Sequence, residues 1–417
     1  MPCEDQPRLL YKTFSFRVKD ATSRKYLVRL GNAVNTVWNY CNEISQKSAQ
    51  RGPKWATKKQ LRDLTKGAGR ELDLPSQVVQ EVIDEFIIKR RAAGRPQLRW
   101  RKSFGSKRSL GWLPFTNQDI ALEGSIALLR GQKFRLWKHR DIEGRIKSGN
   151  FSQDARGRWY CNLVCEIERP APVKRNRVVG IDLGFTTVAT AHNAPDLEQA
   201  RFYHDLEPKL AQAQRRRRKR LIKTIHAKIA NRRKDALHKY SRAVVNDAGA
   251  VFVGNVSSSW QISSGRGKAT HDVSWSMLRN FLQYKCDHAG VVFAEVDEKL
   301  TTQTCSACLS VNGPKGHKGL AIRQWVCGEC GTVHHRDANA AINIARLGCE
   351  ALGLCPASPA FHGGEASPIK LDHVIAEDTQ LRRHSTILQP HHVPRARWGL
   401  VVRQQDLQPS FGDIVSQ

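Results

Sequence analysis

Paired cysteines constrain the fold of this chain more than any other feature of its sequence. The pairs CSAC and CGEC give a C-x2-C-x18-C-x2-C spacing, in which two short knuckles can close a tetrahedron of thiolates around Zn²⁺. A unit this small cannot bury its own core, so the metal would supply its folding energy. We predict a structural zinc ribbon, rather than free thiols or a redox pair, with Cys305, Cys308, Cys327 and Cys330 as ligands. Four thiolates leave no open position, so this zinc is not expected to be catalytic.

Two aspartates have the surroundings that a catalytic metal site requires. Asp182 interrupts the apolar run VVGIDLGFTTVATA, where a carboxylate is costly to bury without a cation. Asp337 lies near the start of HHRDANAAINIARLG, whose alanines would let a helix pack closely against a sheet, although an Asp at this place is also an ordinary helix cap. Two or three convergent carboxylates are what Mg²⁺ or Mn²⁺ needs to act on a phosphate.

The charge of the chain points to a polyanionic partner. Its 68 Lys and Arg residues against 38 Asp and Glu give a net charge of +30, and such a surface gains affinity by releasing counterions from nucleic acid. No apolar run approaches the length of a membrane span, and the start MPCEDQPR does not resemble a signal peptide. The odd number of cysteines, 11, suits an intracellular metal site better than secreted disulfides. We expect a cytoplasmic, nucleoid-associated protein without membrane contact.

Periodicity divides the chain into segments of different character. Apolar and polar residues alternate over 9–18, which predicts a strand. Helices are predicted from Asp20 to 52 and over 74–92. Residues 93–170 contain short, aromatic and basic strands, which are typical of a small antiparallel barrel or sheet. Further strands are expected at 178–191, 250–254 and after 290. The chain loses periodicity after about Leu347, so 351–417 is predicted to be a mostly disordered tail.

The basic residues in two of these segments are candidate nucleic-acid contacts. Residues 206–245 are predicted to form one long helix or a helical hairpin with a narrow apolar stripe, and a block such as RRRRKR repels itself unless phosphates neutralise it. A solvated basic face and an aromatic core remain the alternatives. The candidates are Arg99, Arg101, Arg215, Arg216, Arg217, Arg218, Lys219, Arg220, Lys223, Arg232 and Arg233.

These motifs together resemble the TnpB family. Members of this family are transposon-encoded, RNA-guided, RuvC-like nucleases, which are related to compact type V CRISPR effectors. Their motifs occur in an order similar to that of this chain, which has GIDLGFTTVAT, a basic helical segment, TTQTCSAC and WVCGECGTVHHRDANAAINIARLG. The resemblance spans roughly residues 8–348 and is weakest over 45–160. It implies an α/β protein with an RNase H-like (RuvC) core, an inserted zinc ribbon and an N-terminal wedge-like β-barrel that carries an inserted helical recognition domain.

The implied domains follow the segments above. They are a split barrel (1–20 and 93–172), a helical recognition domain (21–92), a split RuvC-like nuclease (173–300 and 334–350), a zinc ribbon that binds target nucleic acid (301–333) and the tail (351–417). The resemblance and a Ser/Gly-rich composition also suggest a mobile lid at 256–272.

Residue by residue, the resemblance makes Asp182 the first catalytic acid and Asp337 the last. The acid often found just before the last motif is His335 here. The middle acid normally follows the third strand, where this chain has Gly254-Asn255. Some similar proteins carry it at the end of the next strand instead, where EVDEKLTTQTC offers Glu298, with Glu295 and Asp297 as neighbours. An ordinary solvated acid at a strand end is the alternative interpretation.

The expected function is RNA-guided DNA cleavage. Guide RNA and double-stranded DNA are the expected partners, Mg²⁺ or Mn²⁺ and structural Zn²⁺ the cofactors, and a monomer or a homodimer on one RNA the assembly. The alternative is a nuclease-dead, RNA-guided DNA-binding repressor, which loss of the acid at Gly254-Asn255 would produce. A DNA-only resolvase or transposase is disfavoured by the additional basic segments.

Overall fold

The computed structural model describes residues 9–52, 54–105, 107–200, 202–255, 274–319 and 321–354. The predicted lid at 256–272 and the predicted tail from 355 onward lie outside these residues. No helix in the described ranges is both long and apolar enough to cross a bilayer.

An antiparallel sheet of seven strands forms the N-terminal part, with the order β2-β6-β7-β1-β5-β4-β3. Its strands are β1 (Leu9–Val18), β2 (Trp112–Thr116), β3 (Ile120–Glu123), β4 (Ile126–Leu129), β5 (Gln132–Trp137), β6 (Arg145–Gln153) and β7 (Trp159–Glu168). Among the described strands β2 and β3 are the two edges of this order, and the sheet is a half-barrel. The sheet remains open because helices, rather than further strands, cover its apolar face.

Four helices lie between β1 and β2 in the chain. They are α1 (Ala21–Arg51), α2 (Lys58–Leu64), α3 (Ala68–Glu71) and α4 (Ser76–Ala92). Asp20, one of the two residues that the sequence offers as a cap beside Thr22, caps α1: its side chain accepts a hydrogen bond of 2.6 Å from the Ser23 amide. Trp38 of α1 packs edge-on against Phe86 of α4, with ring centroids 5.3 Å apart, and both belong to the core shared with the sheet.

A second, five-stranded sheet has the order β10-β9-β8-β11-β12. Its strands are β8 (Val178–Asp182), β9 (Thr187–His192), β10 (Leu197–Glu198), β11 (Ala250–Gly254) and β12 (Val292–Val296). Strands β8, β11 and β12 are parallel, whereas β9 and β10 are antiparallel. The parallel strands β8 and β11 are almost continuously apolar because helices cover both of their faces.

Helices α5 (Glu207–Arg215) and α6 (Lys219–Asp247) follow β10 and form a hairpin, the second of the two predicted forms. The break falls in the arginine block, where Arg217 adopts a positive φ of 49°. The predicted apolar stripe holds from Ile225 through Ile229 to Tyr240, which are buried, but Leu221 is 41% exposed. The buried part of the stripe therefore begins at Ile225, one turn after Leu221.

Three helices and a two-stranded ladder complete the described structure. Helix α7 (Trp275–Ala289) precedes β12, and the ribbon contains α8 (Gly316–Gly319), β13 (Gln324–Val326) and β14 (Val333–His335) before α9 (Arg336–Ala351). Val179, Ile181, Val251 and Val253 of the sheet join one core with α6 and α7. The alternate residues face α9, which approaches so closely that a Cβ on Gly180 would lie 2.8 Å from the Cβ of Ala345.

Candidate active site

Asp182 is the centre of the candidate site. It ends β8 and, by strand alternation, lies on the same face as Gly180, toward α9. Its pKa is raised to about 7, first by burial and then by the negative charges of Asp337 and Glu298, while Arg336 acts in the opposite direction. Asp337 and Glu298, the other two acids singled out from the sequence, therefore both lie within electrostatic range of Asp182.

The surroundings of Glu298 differ from those of the two neighbouring acids, Glu295 and Asp297. Glu295 on β12 is exposed and pairs with Arg279 of α7, with Nη1 and Oε2 3.4 Å apart. Asp297 is exposed, and its Oδ1 accepts a 3.1 Å hydrogen bond from the Lys299 amide. Glu298 is partly buried and raises the pKa of Asp182. Among the three, Glu298 is thus the acid with a described electrostatic effect on Asp182.

Gly254 explains how Glu298 enters this space. The residue ends β11 opposite Val296 of β12, on the strand face that also carries Phe252, which packs against Gly348 of α9. A Cβ built on Gly254 would lie 2.7 Å from Oε2 of Glu298. The glutamate carboxylate therefore occupies the volume that a side chain at position 254 would need.

Two arginines hold the carboxylate of Asp337 at the start of α9. Nη1 of Arg323 lies 2.9 Å from Oδ2 of Asp337, and Nε of Arg336 lies 3.2 Å from its Oδ1. Nη2 of Arg323 also donates to the hydroxyl of Thr186 at 3.2 Å, across the β8–β9 turn. Sequence analysis missed both arginines. Arg336 directly precedes Asp337 in the chain, but no periodicity or motif marks Arg323.

The four predicted zinc ligands converge in the ribbon. The sulfur atoms of Cys305, Cys308, Cys327 and Cys330 all lie within 4.8 Å of one another. The Cys305–Cys330 and Cys308–Cys327 separations of 3.7 and 3.6 Å fit a zinc tetrahedron, whose sulfurs are about 3.8 Å apart for bonds near 2.3 Å. The cluster therefore has the donor set and spacing of a structural zinc site.

His334 is a further group at the cysteine cluster that the sequence did not single out. Its Nε2 lies 3.0 Å from the sulfur of Cys305, and its ring packs on Trp325 with centroids 4.7 Å apart. His334 is buried and belongs to β14. Its imidazole and the Trp325 ring together cover one side of the cluster.

Two buried asparagines of α9 fasten the ribbon to the helix that carries Asp337. The amide nitrogens of Asn339 and Asn343 both donate to the carbonyl oxygens of Thr301 and Thr304, at 2.7 to 3.1 Å. The amide of Ser306 donates in return to Oδ1 of Asn339 at 2.9 Å. The entry to the ribbon and the start of α9 are thus one hydrogen-bonded unit.

The predicted nucleic-acid contacts differ in their surroundings. Most of them are exposed: Arg99, Arg215, Arg216, Arg217, Arg218, Lys219, Arg220, Lys223 and Arg232. Arg233 is partly buried. The guanidinium of Arg101 instead stacks on Trp38 at 4.3 Å and on Trp112 at 5.3 Å, and burial lowers its pKa to about 10. This gives Arg101 a packing role inside the N-terminal unit.

Known proteins are similar to the two segments of the chain that carry these residues. A family model described as a probable transposase matches residues 162–259, and one described as a Cas12f1-like TNB domain matches residues 275–344. A protein of Streptomyces pristinaespiralis assigned as an RNA-guided DNA endonuclease is 32% identical over 215 residues, which are 48% of this chain and 52% of that protein. A TnpB-like protein of Acanthamoeba polyphaga mimivirus is 28% identical over 150 residues, 34% of this chain and 28% of that protein. The matched segments are thus similar to proteins of the TnpB family.

The structural similarity of the chain to known proteins extends beyond the matched sequence. A cryo-EM structure of a Cas12f1–sgRNA–target DNA complex superposes with a TM-score of 0.50 over 81% of this chain and 99% of that chain, at 13% identity. At this identity the similarity is one of fold. The chain spans about half the length of the Streptomyces relative.

The raised pKa of Asp182 predicts that, without added Mg²⁺, the free energy of unfolding of the protein depends on pH. Its carboxyl titrates near 3.8 when unfolded and at about 7 when folded, so stability falls as pH rises between these values, and the loss is complete above pH 7. Asp182→Asn removes the buried charge and should stabilise the fold at pH 8 by up to about 4 kcal/mol. Urea unfolding at several pH values measures this.

The control for that measurement is Asp297→Asn, which removes an exposed carboxylate two strand positions from Glu295. Its unfolding free energy should match that of the wild type at every pH. A stability gain in Asp182→Asn that did not shrink toward pH 4–5 would contradict the buried ionised carboxylate.

Proposed function

We propose that this protein is an RNA-guided DNA endonuclease that hydrolyses phosphodiester bonds at an RNase H-like (RuvC-like) site. The observation that carries the proposal is the electrostatic effect of Glu298 and Asp337 on Asp182, with the Glu298 carboxylate in the volume beside Gly254. The Streptomyces relative assigned as an RNA-guided DNA endonuclease supports it.

The donor set of the site suits hard divalent cations, because carboxylate oxygens are their preferred protein ligands. Asp182, Glu298 and Asp337 would hold two Mg²⁺ or Mn²⁺ ions, which supply an activated water and stabilise the charge that develops on the phosphate. Asp182 would lose its proton before it binds a cation. Arg323 and Arg336 would orient the carboxylate of Asp337.

Guide RNA and double-stranded DNA are the proposed partners. Base pairing with the RNA would select the target, and the protein would read a short flanking DNA motif. The exposed arginines of the α5–α6 turn would contact phosphates of the RNA or of the heteroduplex, since clustered cations bind polyanions by counterion release. Within this assignment the half-barrel and helices α1–α4 would form the wedge and recognition domains, and the ribbon would bind target nucleic acid.

The second candidate is a nuclease-dead repressor with the same partners. Gly254-Asn255, which carries no acid, is the one observation in its favour. The position of Glu298 weighs against a nuclease-dead protein, because a site without catalytic function would not require a carboxylate in the volume beside Gly254. We therefore retain the active enzyme as the proposal.

Purification of the protein with its RNA tests this function. The bound RNA is sequenced, a double-stranded DNA that matches its guide is prepared, and cleavage is followed with and without Mg²⁺. Asp182→Ala should bind the RNA and the matching DNA as the wild type does, yet cut at least about a thousandfold more slowly. Cutting by Asp182→Ala at the wild-type rate would move the active site elsewhere.

A further inference from the structure

The segment between α4 and β2 forms an extended strap that lies along α1. Asn42 holds Leu98 through both backbone groups, at 2.7 and 2.8 Å, and Asn39 holds Arg101 in the same way, at 2.8 Å twice. Ser45 donates to the carbonyl of Pro96 at 2.6 Å. The strap is therefore fixed in one conformation by side chains of a single helix face.

The inner side chains of the strap are used for packing. Arg101 stacks on Trp38 and Trp112, and the hydroxyl of Ser103 accepts from the Asn35 amide at 3.3 Å. Because extended backbone alternates, Trp100 and Lys102 lie on the outer side. Trp100 is 40% exposed, and Phe104, on the bend that follows, is 80% exposed.

The outer surface of the strap is aromatic and strongly basic. Between Glu85 and Asp119 the chain has nine Lys or Arg residues and no Asp or Glu. Lys102 and Lys107 are exposed, and neither of them forms an ion pair within the described part of the chain. Trp100 and Phe104 can be at most about 14 Å apart along the backbone, so two aromatic faces flank a cation within a few nucleotide lengths.

We propose that this surface, which we call the Trp100–Phe104 strap, binds unpaired DNA by stacking bases on Trp100 and Phe104 and pairing a phosphate with Lys102. Aromatic faces bind unpaired bases of any sequence, whereas the bases of an intact duplex are hidden from them. The short polar side chains Ser103 and Ser109 are used internally, Ser109 accepting from the Lys102 amide at 3.1 Å. The outer side therefore binds through cations and aromatic rings, and these contacts do not require a ribose 2′-hydroxyl.

The occupant follows from the charge and from the proposed function, on which this inference rests. A guide RNA that invades a DNA duplex releases single-stranded DNA, which needs a basic, sequence-tolerant surface. A fixed strap suits this role because little conformational freedom is lost when a strand binds to it.

The test uses the full-length protein with its co-purified RNA and a single-stranded DNA that contains 2-aminopurine. Stacking quenches this base, so fluorescence titration reports both affinity and stacking. Phe104→Leu keeps the apolar volume but removes the ring, and it should weaken binding about fivefold or more and reduce quenching. Phe104→Tyr should bind as the wild type does, and Trp100→Leu should act as Phe104→Leu does.

Two further variants separate stacking from charge and from general surface change. Lys102→Ala should reduce the salt dependence of binding by about one phosphate contact, which Phe104→Leu should leave unchanged. Leu64→Ala, which alters a 51% exposed side chain on α2, should bind as the wild type does.

The outcomes are distinguishable from those of the proposed function. Unchanged DNA binding by Phe104→Leu would rule out the proposed role of the strap, even if the protein cuts matched DNA. Loss of co-purified RNA in that variant would assign the strap to RNA and overturn the DNA assignment. If the protein binds single-stranded DNA in a way that depends on the aromatic rings but cuts no DNA, the strap proposal is supported and the nuclease proposal fails.

Discussion

Replacement of Glu298 by alanine is expected to reduce Mg²⁺-dependent DNA cleavage by at least about three orders of magnitude. The variant removes a carboxylate that raises the pKa of Asp182, while its effect on the proposed RNA- and DNA-binding surfaces, which lie elsewhere, should be small. Cleavage of a guide-matched duplex and filter binding of the same duplex measure the two properties separately. Loss of cleavage with unchanged binding would identify Glu298 as part of the reaction site.

The neighbouring residues provide matched controls and a rescue. Glu295→Ala and Asp297→Ala remove exposed acids from the same strand end and should cut at close to the wild-type rate. In the double variant Gly254→Asp, Glu298→Ala, a carboxylate is rebuilt from a Cβ that starts 2.7 Å from the former position of the Glu298 Oε2 atom. This variant should recover part of the lost activity. Full activity in Glu298→Ala alone would rule out the relocated acid.

Replacement of Cys305 and Cys308 by serine is the second change with a large expected effect. Zinc binding to such sites is worth about 10–16 kcal/mol of folding free energy, so loss of two ligands should release the metal and unfold the ribbon. The effect should reach Asp337, because Arg323 of the ribbon holds its carboxylate and Asn339 of α9 holds Thr301 and Thr304. Both bound zinc and DNA cleavage should therefore be lost.

Metal analysis of the purified variant and limited proteolysis across 301–333 measure these effects. Cys286→Ala, which removes a buried thiol on α7 outside the cluster, should keep the wild-type zinc content and ribbon resistance. An unchanged zinc content in the Cys305 and Cys308 variant would contradict the four-cysteine site.

The parts of this fold that could be predicted are those with a local signal. The alternation of residues 9–18, the cap at Asp20 and the short cysteine spacings depend on neighbours within a few positions, and the structure shows the strand, the capped helix and the sulfur cluster. The pairing of Asp182 with Asp337 depended on family resemblance, since 155 positions separate them.

The parts that could not be predicted depend on contacts between distant segments. The half-barrel stays open because α1 and α4 cover it, which no property of the strands reveals. Arg323 reaches Asp337 and Thr186 from inside the ribbon, and a lone arginine in a basic chain has no distinguishing pattern. Arg101 was grouped with surface arginines because its position over Trp38 arises only when the strap lies against α1.

The choice among Glu295, Asp297 and Glu298 illustrates the same limit. Alternation separates Glu298 from the other two but does not say which face meets the metal site. Parallel pairing of β11 with β12 sets Gly254 opposite Val296, and the turn after β12, in which the Thr301 amide donates to the Glu298 carbonyl at 3.2 Å, brings the side chain back toward β11.

Cleavage of a guide-matched duplex by the wild-type protein with its own RNA tests the central claim most directly. With Mg²⁺ present, the account predicts cutting of the matched DNA, none of a DNA with mismatches to the guide, and none by Glu298→Ala. Guide-dependent binding of the matched DNA without any cutting in Mg²⁺ or Mn²⁺ would contradict it and would identify the protein as a nuclease-dead binding protein.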